Sequence, residues 1–336
     1  MAGMIYTPVT LWEGFRPELP IKEEKSEEYE KDGIVFSKIR FGGRSTETGR
    51  VSIFALTAYD RRNAKMPGLL ILPSYGKRPD ERTVAYFAKQ GYFAMMADYA
   101  GRRGGDADYT EYPADAAYAN FTEDRDSIHR VETDAKHTCW YEWTLNTRRA
   151  VSYALSFDFA DGKRIGIYGS HLGNIIAMQT LAMDGRLAAG AELYGTLKEE
   201  HVSRLEGEEA LERESGNLVD FLEKSDNEDV WYAAVSPQSY LNYVTKPFYT
   251  CTGTNSSSSA PDATMEMLFR MNNDNEGIAV FAPRLMDGAP SFYRDNLARW
   301  FKNIFEGKTV KNDAVTLSAV CEKGKIYVEA ARYRNQ

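Results

Sequence analysis

The sequence predicts an α/β protein built on a doubly wound, mostly parallel sheet, and three observations carry that expectation. Short apolar runs alternate with helical patterns along most of the 336 residues. The run Gly68-Leu69-Leu70-Ile71-Leu72 stops at Pro73 and leads into a helix and a second buried run. Gly169-Ser170-His171-Leu172-Gly173 has the frame of a nucleophile elbow, G-x-S-x-G, in which a strand turns sharply into a helix and thrusts its central residue above the sheet. Small residues two before and two after the centre relieve crowding between strand and helix. That condition centres the frame on His171, where the nucleophilic serine should stand. Counted from Ser170, the flanking positions are Tyr168 and Leu172, which are too large.

Taken in order, Gly33 to Phe41 and Arg50 to Ala58 alternate as an N-terminal hairpin that leads into the run at 68–72. A helix is predicted from about Pro79 to Gln90, with proline at its start and Asp80 and Glu81 in its positively polarised first turn. Phe93 to Ala97 follows as a buried strand and completes a βαβ unit. Gly101 to Asp126, rich in Gly, Asp, Tyr and Ala, is expected to be a long loop over the sheet's C-terminal edge, where such folds place their sites. Trp140 to Phe157 has helical periodicity, Arg164 to Tyr168 is the buried strand before the elbow, and an apolar helix starts at Gly173. Alternation continues with strands near Ala188 to Tyr194, Pro247 to Thr252 and Ile278 to Pro283, and with helices near Pro261 to Met271 and Phe292 to Phe305. Leu205 to Asp229 is dense in glutamate and reads as a small acidic cap insertion with a solvated face. Val315 to Val320 and Lys325 to Ala330 form a hairpin around Glu322-Lys323-Gly324. The domain organisation is therefore an N-terminal extension over 1–32, a main domain over 33–310 with its insertion near 205–229, and a terminal hairpin over 311–336 of the kind that opens a further β domain.

Composition excludes several classes of function. A hydrophobic content of 43% with 27% charged residues is that of a soluble globular chain. No run approaches the roughly 18 apolar residues that span a bilayer, so no membrane partner is expected. Met1 to Pro8 lacks the basic segment and apolar core of a secretory signal. Three widely spaced cysteines suit a reducing cytoplasm better than a disulfide framework. Neither C-x-x-C nor H-E-x-x-H occurs, and the four histidines are His129, His137, His171 and His201, so neither a metal site nor a cofactor is expected. The net charge of −8 argues against nucleic acid and for a neutral or weakly charged ligand. The oligomeric state is left open.

A set of ordered phrases adds a resemblance. They are Tyr109-Thr110-Glu111-Tyr112-Pro113, Trp140-Tyr141-Glu142-Trp143 with Arg148-Arg149-Ala150, the strand and elbow from Arg164 to Gly173, and Ser236-Pro237-Gln238-Ser239-Tyr240. Over roughly Gly33 to Lys308 the chain resembles the acetyl xylan esterase branch of the α/β-hydrolases, related to cephalosporin C deacetylases and dienelactone hydrolases. The resemblance implies an α/β-hydrolase fold with a Ser, Asp and His triad in chain order. Carried over, the serine position falls on His171. The acid position falls on Ser256 in Gly253-Thr254-Asn255-Ser256, with Asp262 on the next helix as another candidate acid. The histidine position falls on Asp287 in Arg284-Leu285-Met286-Asp287-Gly288, and no histidine follows His201. Pro73-Ser74-Tyr75-Gly76 replaces the family's His-Gly in the oxyanion loop, which leaves the backbone N–H groups of Tyr75 and Leu172 as the implied oxyanion donors.

A triad with the same residue types permuted is disfavoured by connectivity. A histidine must stand between nucleophile and acid, and here the middle position would be Asp287. The leading expectation is an acetyl xylan esterase-like protein that has lost ordinary serine-esterase activity and either binds a carbohydrate or acyl ligand or serves a structural or regulatory role. Tyr99, Tyr109, Tyr112 and Tyr118 either stack on sugar faces or pack the long loop onto the sheet. The alternative is an active hydrolase with a non-standard site, in which His171 is a general base for water and Asp287 orients it.

Overall fold

The computed structural model describes residues 5–104, 107–124, 128, 131, 133–193, 228–254, 261–274, 277–282, 291–308, 315–322 and 325–332. Nine strands form one sheet: β1 (Glu23–Lys31), β2 (Ile34–Ser45), β3 (Arg50–Tyr59), β4 (Met66–Leu72), β5 (Phe93–Ala97), β6 (Ala160–Ser170), β7 (Ala189–Leu193), β8 (Phe248–Gly253) and β9 (Gly277–Ala282). Their order is β1-β2-β3-β5-β4-β6-β7-β8-β9. The first three strands and the β3–β5 pair are antiparallel, and every pairing from β5 to β9 is parallel. β10 (Val315–Glu322) and β11 (Lys325–Arg332) pair with each other in a separate two-stranded sheet.

β1 falls within 1–32, the stretch that sequence pattern sets apart as an extension, and it is a correction to that boundary. It pairs along β2 from Lys31↔Ile34 to Glu23↔Phe41. Asp32 and Gly33, at φ 53° and 74°, make the two-residue turn between them, and Asp-Gly is a favoured pair where both residues need positive φ. The strand itself, Glu-Glu-Lys-Ser-Glu-Glu-Tyr-Glu-Lys, lies at the sheet's edge, where charge discourages pairing with other chains. It carries no apolar face by which alternation would reveal it.

Seven α-helices are described: α1 (Pro8–Leu11), α2 (Glu81–Lys89), α3 (Cys139–Ala154), α4 (Leu172–Met183), α5 (Glu228–Ala234), α6 (Pro261–Arg270) and α7 (Ser291–Phe305). Helix α2 starts at Glu81, later than the predicted Pro79, because Asp80 serves as its N-cap rather than as a first-turn residue, and Thr138 caps α3. The Asp80 carboxylate accepts from the Thr83 N–H at 2.8 Å, and the Thr138 hydroxyl accepts from the Tyr141 N–H at 3.2 Å. One apolar core lies on the sheet face covered by α3 and α4, with Trp140, Trp143, Ile176 and Phe41 in it, and a second lies on the α2 and α7 face, around Phe87, Tyr168 and Phe301. The acidic insertion lies outside the described residues up to 227. Among the described residues no helix is long and apolar enough to cross a membrane.

Candidate active site

Central strand β6 ends at Ser170, α4 starts at Leu172, and His171 is the single residue between them, at φ 51° and ψ −125°. A non-glycine residue at positive φ carries strain of order 1–3 kcal/mol, and such strain clusters at functional sites. The elbow's two glycines are required by close approach. A Cβ on Gly169 would lie 2.1 Å from the Gly173 carbonyl oxygen, and one on Gly173 would lie 2.6 Å from that of Pro73. Both obstacles are backbone, so neither can swing aside.

β7 holds the elbow from one side. The His171 N–H donates to the Leu193 carbonyl at 3.1 Å, and the Asn174 N–H closes on the His171 carbonyl at 2.8 Å. The buried Asn174 amide grips Leu193 twice, its Nδ2 donating to the carbonyl at 3.0 Å and its Oδ1 accepting from the N–H at 3.2 Å. The end of β4 forms the opposite wall. Tyr99 OH donates to the Pro73 carbonyl at 3.0 Å, and the chain then turns tightly, with the Lys77 N–H on the Ser74 carbonyl at 2.9 Å and Gly76 at φ 77°. Positive φ at the third residue of a four-residue turn is the type II requirement that favours glycine. Tyr75 is clamped to the loop at Thr122, donating to its carbonyl at 3.0 Å and accepting from its N–H at 2.9 Å, with its ring 4.8 Å from that of Phe121.

These two walls bring Ser74 Oγ to 2.7 Å from His171 Nδ1. With the proton on Nε2, the ring's Nδ1 accepts from the hydroxyl; with the proton on Nδ1, it donates. The residues are 97 positions apart, and sequence reading had Ser74 only as a member of the oxyanion loop. No spacing rule connects them, because the contact is made by loop geometry at the ends of two adjacent parallel strands. Of the implied oxyanion donors, Leu172 opens α4, so its N–H is among the first-turn donors that a helix does not satisfy internally, and Tyr75 is the second residue of the opposing turn. Ser256 and Asp287 lie outside the described residues. Asp262 lies in the first turn of α6.

Most of the tyrosines of the long loop pack rather than face a ligand. Tyr99 is buried on Pro73, while Tyr112 OH donates to the Tyr99 carbonyl at 2.6 Å and accepts from Asn146 Nδ2 at 2.9 Å. Tyr118 OH donates to the buried Glu142 carboxylate at 3.2 Å, although the residue is 40% exposed. Tyr109 is half-buried. Asp98 roots the loop, accepting from the N–H groups of Gly101 at 3.0 Å and Thr110 at 2.8 Å and pairing with Arg103.

Sequence reading also passed over Glu192 on β7, hidden in the apolar run Ala189-Gly190-Ala191-Glu192-Leu193. It is fully buried, beside Gly169 of the elbow strand and Thr250 of β8 in the sheet register. Its Oε1 accepts from the Thr250 hydroxyl at 2.6 Å, Oε2 has no partner, and burial pushes the carboxyl up to about 8. At neutral pH it is largely protonated. Among the described residues no group of His, Cys, Asp and Glu side chains is arranged to hold a metal ion.

Residues 54–216, a span that includes the elbow and the Ser74 turn, match the dienelactone hydrolase family. The fold is similar to an acetyl xylan esterase from a Paenibacillus species, with a TM-score of 0.64 at 14% identity over 88% of this chain and 91% of that one. Acetyl xylan esterase 1 from a Thermoanaerobacterium species gives the same score and identity over 90% and 96% of the two chains. A putative dienelactone hydrolase from Klebsiella pneumoniae is similar with a TM-score of 0.52 at 15% identity, over 81% of this chain and 99% of that one. No curated protein matches this chain. At such identities the structural likeness establishes the fold, which is that of the α/β-hydrolases, with an acetyl xylan esterase-like architecture.

Proposed function

We propose that this α/β-hydrolase, with its dienelactone hydrolase family domain over residues 54–216, is an acetyl xylan esterase-like carboxylic-ester hydrolase that has given up elbow-serine chemistry and works through His171. One observation carries the reading. The elbow backbone is kept in full, with its strained tip at φ 51° and its two obligatory glycines, yet it presents an imidazole hydrogen-bonded to a hydroxyl instead of presenting the hydroxyl itself. Strain at that point is maintained by the packing around it and serves to aim one side chain above the sheet. An imidazole aimed there has a ring nitrogen that can act as general base for the oxygen that attacks an ester carbonyl. The first-turn N–H of Leu172 and the N–H of Tyr75 on the opposing turn are the main-chain donors that the reading assigns to a tetrahedral oxyanion. The substrate class is a neutral acyl ester, an acetylated carbohydrate being the natural member.

The test is hydrolysis of an aryl acetate by the purified protein and by His171→Ala. Wild-type turnover above buffer and its loss in the variant, by roughly 10²–10⁴-fold as for removal of a general base, are expected. Wild-type rates equal to buffer would reject hydrolysis and leave a ligand-binding role.

A further inference from the structure

We infer that Ser74, on the turn after β4, is the nucleophile of this site, with the roles of elbow and oxyanion loop exchanged: the elbow carries the base and the loop carries the attacking hydroxyl. The inference rests on the hydrolase reading above and names the oxygen that His171 deprotonates. Three observations support it beyond the 2.7 Å contact between Ser74 Oγ and His171 Nδ1. First, Ser74 is fixed from both sides, its preceding carbonyl held by Tyr99 OH at 3.0 Å and its own carbonyl by the Lys77 N–H at 2.9 Å. Second, the bare Cα of Gly173 lets the Pro73 carbonyl approach so closely that a Cβ would lie 2.6 Å from it, which draws the Ser74 turn against the elbow. Third, Ser74 is half-exposed, so an acyl group on its oxygen has room that the buried hydroxyls of Thr110, Thr144 and Thr180 lack. A hydroxyl hydrogen-bonded to a ring nitrogen, on two backbone turns held side by side, is the pre-organised nucleophile–base pair of covalent acyl transfer.

The chemistry balances without a co-reactant other than water. Ser74 Oγ bonds to the ester carbonyl carbon as its proton passes to His171 Nδ1, and the carbonyl electron pair moves to oxygen. Collapse of that oxyanion breaks the bond to the leaving alkoxide, which takes the proton from Nδ1 and departs as an alcohol. Water then attacks the acyl-Ser74 ester with His171 again as base, releasing the carboxylic acid and restoring the serine. One ring nitrogen and one hydroxyl suffice: the resting tautomer carries its proton on Nε2, which leaves Nδ1 to accept from Ser74.

The experiment combines a fluorophosphonate probe, located by peptide mass spectrometry, with aryl acetate kinetics on wild type, Ser74→Ala and His171→Ala. The expected result is a single adduct on Ser74, lost in His171→Ala, and hydrolysis in Ser74→Ala reduced to the level of His171→Ala. Ser74→Cys supplies a variant that keeps the geometry: its thiol should be alkylated by iodoacetamide faster than in Ser74→Cys/His171→Ala. If Ser74→Ala hydrolyses at the wild-type rate while His171→Ala does not, His171 activates water, the inference falls and the hydrolase reading stands. If no protein hydrolyses the ester but Ser74 is labelled in a His171-dependent way, the hydrolase reading falls and the activated serine stands. Absence of both turnover and label overturns both.

Discussion

His171 sits at the tip of a backbone device, the strained turn between β6 and α4, that its neighbours hold in place. The fold enforces the elbow through Gly169 and Gly173, whose Cα atoms face backbone at distances no side chain tolerates, and those requirements are written in the sequence as fixed spacings. The identity of the tip residue is not enforced in the same way, so the site frame was legible while its partner was not. Ser74 became visible only when the β4 turn and the elbow were placed side by side. The pair predicts the behaviour of His171→Ser. That variant places a second hydroxyl beside Ser74 and removes the proposed base, and loss of a triad member typically costs on the order of 10⁴–10⁶ in turnover. Aryl acetate hydrolysis by His171→Ser is therefore expected to match His171→Ala, and recovery to the rates of ordinary serine esterases would reveal a different base.

At the scale of the element, β7 is where apolar pattern and chemistry part. Its five residues are all buried, which identifies a central parallel strand, but Glu192 within it is a carboxyl with one oxygen bonded to Thr250 and the other unpaired. Alternation and run length report burial and cannot report that a buried acid is present in its neutral form. β1 fails in the opposite sense, since a charged edge strand has no buried face to read. The pH dependence that follows from Glu192 has a definite sign. In the unfolded chain the carboxyl ionises near its ordinary 4.5, and in the folded chain it keeps its proton to about 8. Between those values the unfolded state binds fewer protons, so the group's contribution to stability is fully present below 4.5 and is lost as pH rises toward 8. Urea midpoints should show wild type losing stability relative to Glu192→Gln between pH 5 and pH 8, by a few kcal/mol. Parallel midpoints for the two proteins across that range would refute the assignment.

Across the whole molecule, the region before the sheet is part of the domain rather than an appendage. Leu11 and Trp12 are buried in the core on the α3 face, where the Trp12 ring stacks on Tyr141 at 5.1 Å and its N–H donates to Tyr240 OH at 3.1 Å. Arg149 donates to the carbonyls of Leu19 at 3.1 Å and Pro20 at 3.2 Å, and the Arg148 guanidinium lies 3.9 Å from the centre of the Phe15 ring and 3.6 Å from the Asp184 carboxylate. The segment thus covers two arginines that α3 would otherwise leave between core and solvent, and burial holds the Arg148 side chain below its ordinary pKa. Its few apolar residues stand among prolines and charges without helical or strand period, which is why sequence pattern sets it apart from the domain. Packing across 228 positions, from Trp12 to Tyr240, ties it instead to the helical turn Pro237–Tyr243 that precedes β8. Trp12→Ala should cost about 3–5 kcal/mol, as expected for truncation of a buried aromatic, and the loss should include the hydrogen bond to Tyr240. Trp12→Phe keeps the ring contact with Tyr141 and loses only the donor, so chemical denaturation should place it between wild type and Trp12→Ala. A Trp12→Ala protein as stable as wild type would return residues 5–22 to the status of an extension, and with them the boundary of the domain.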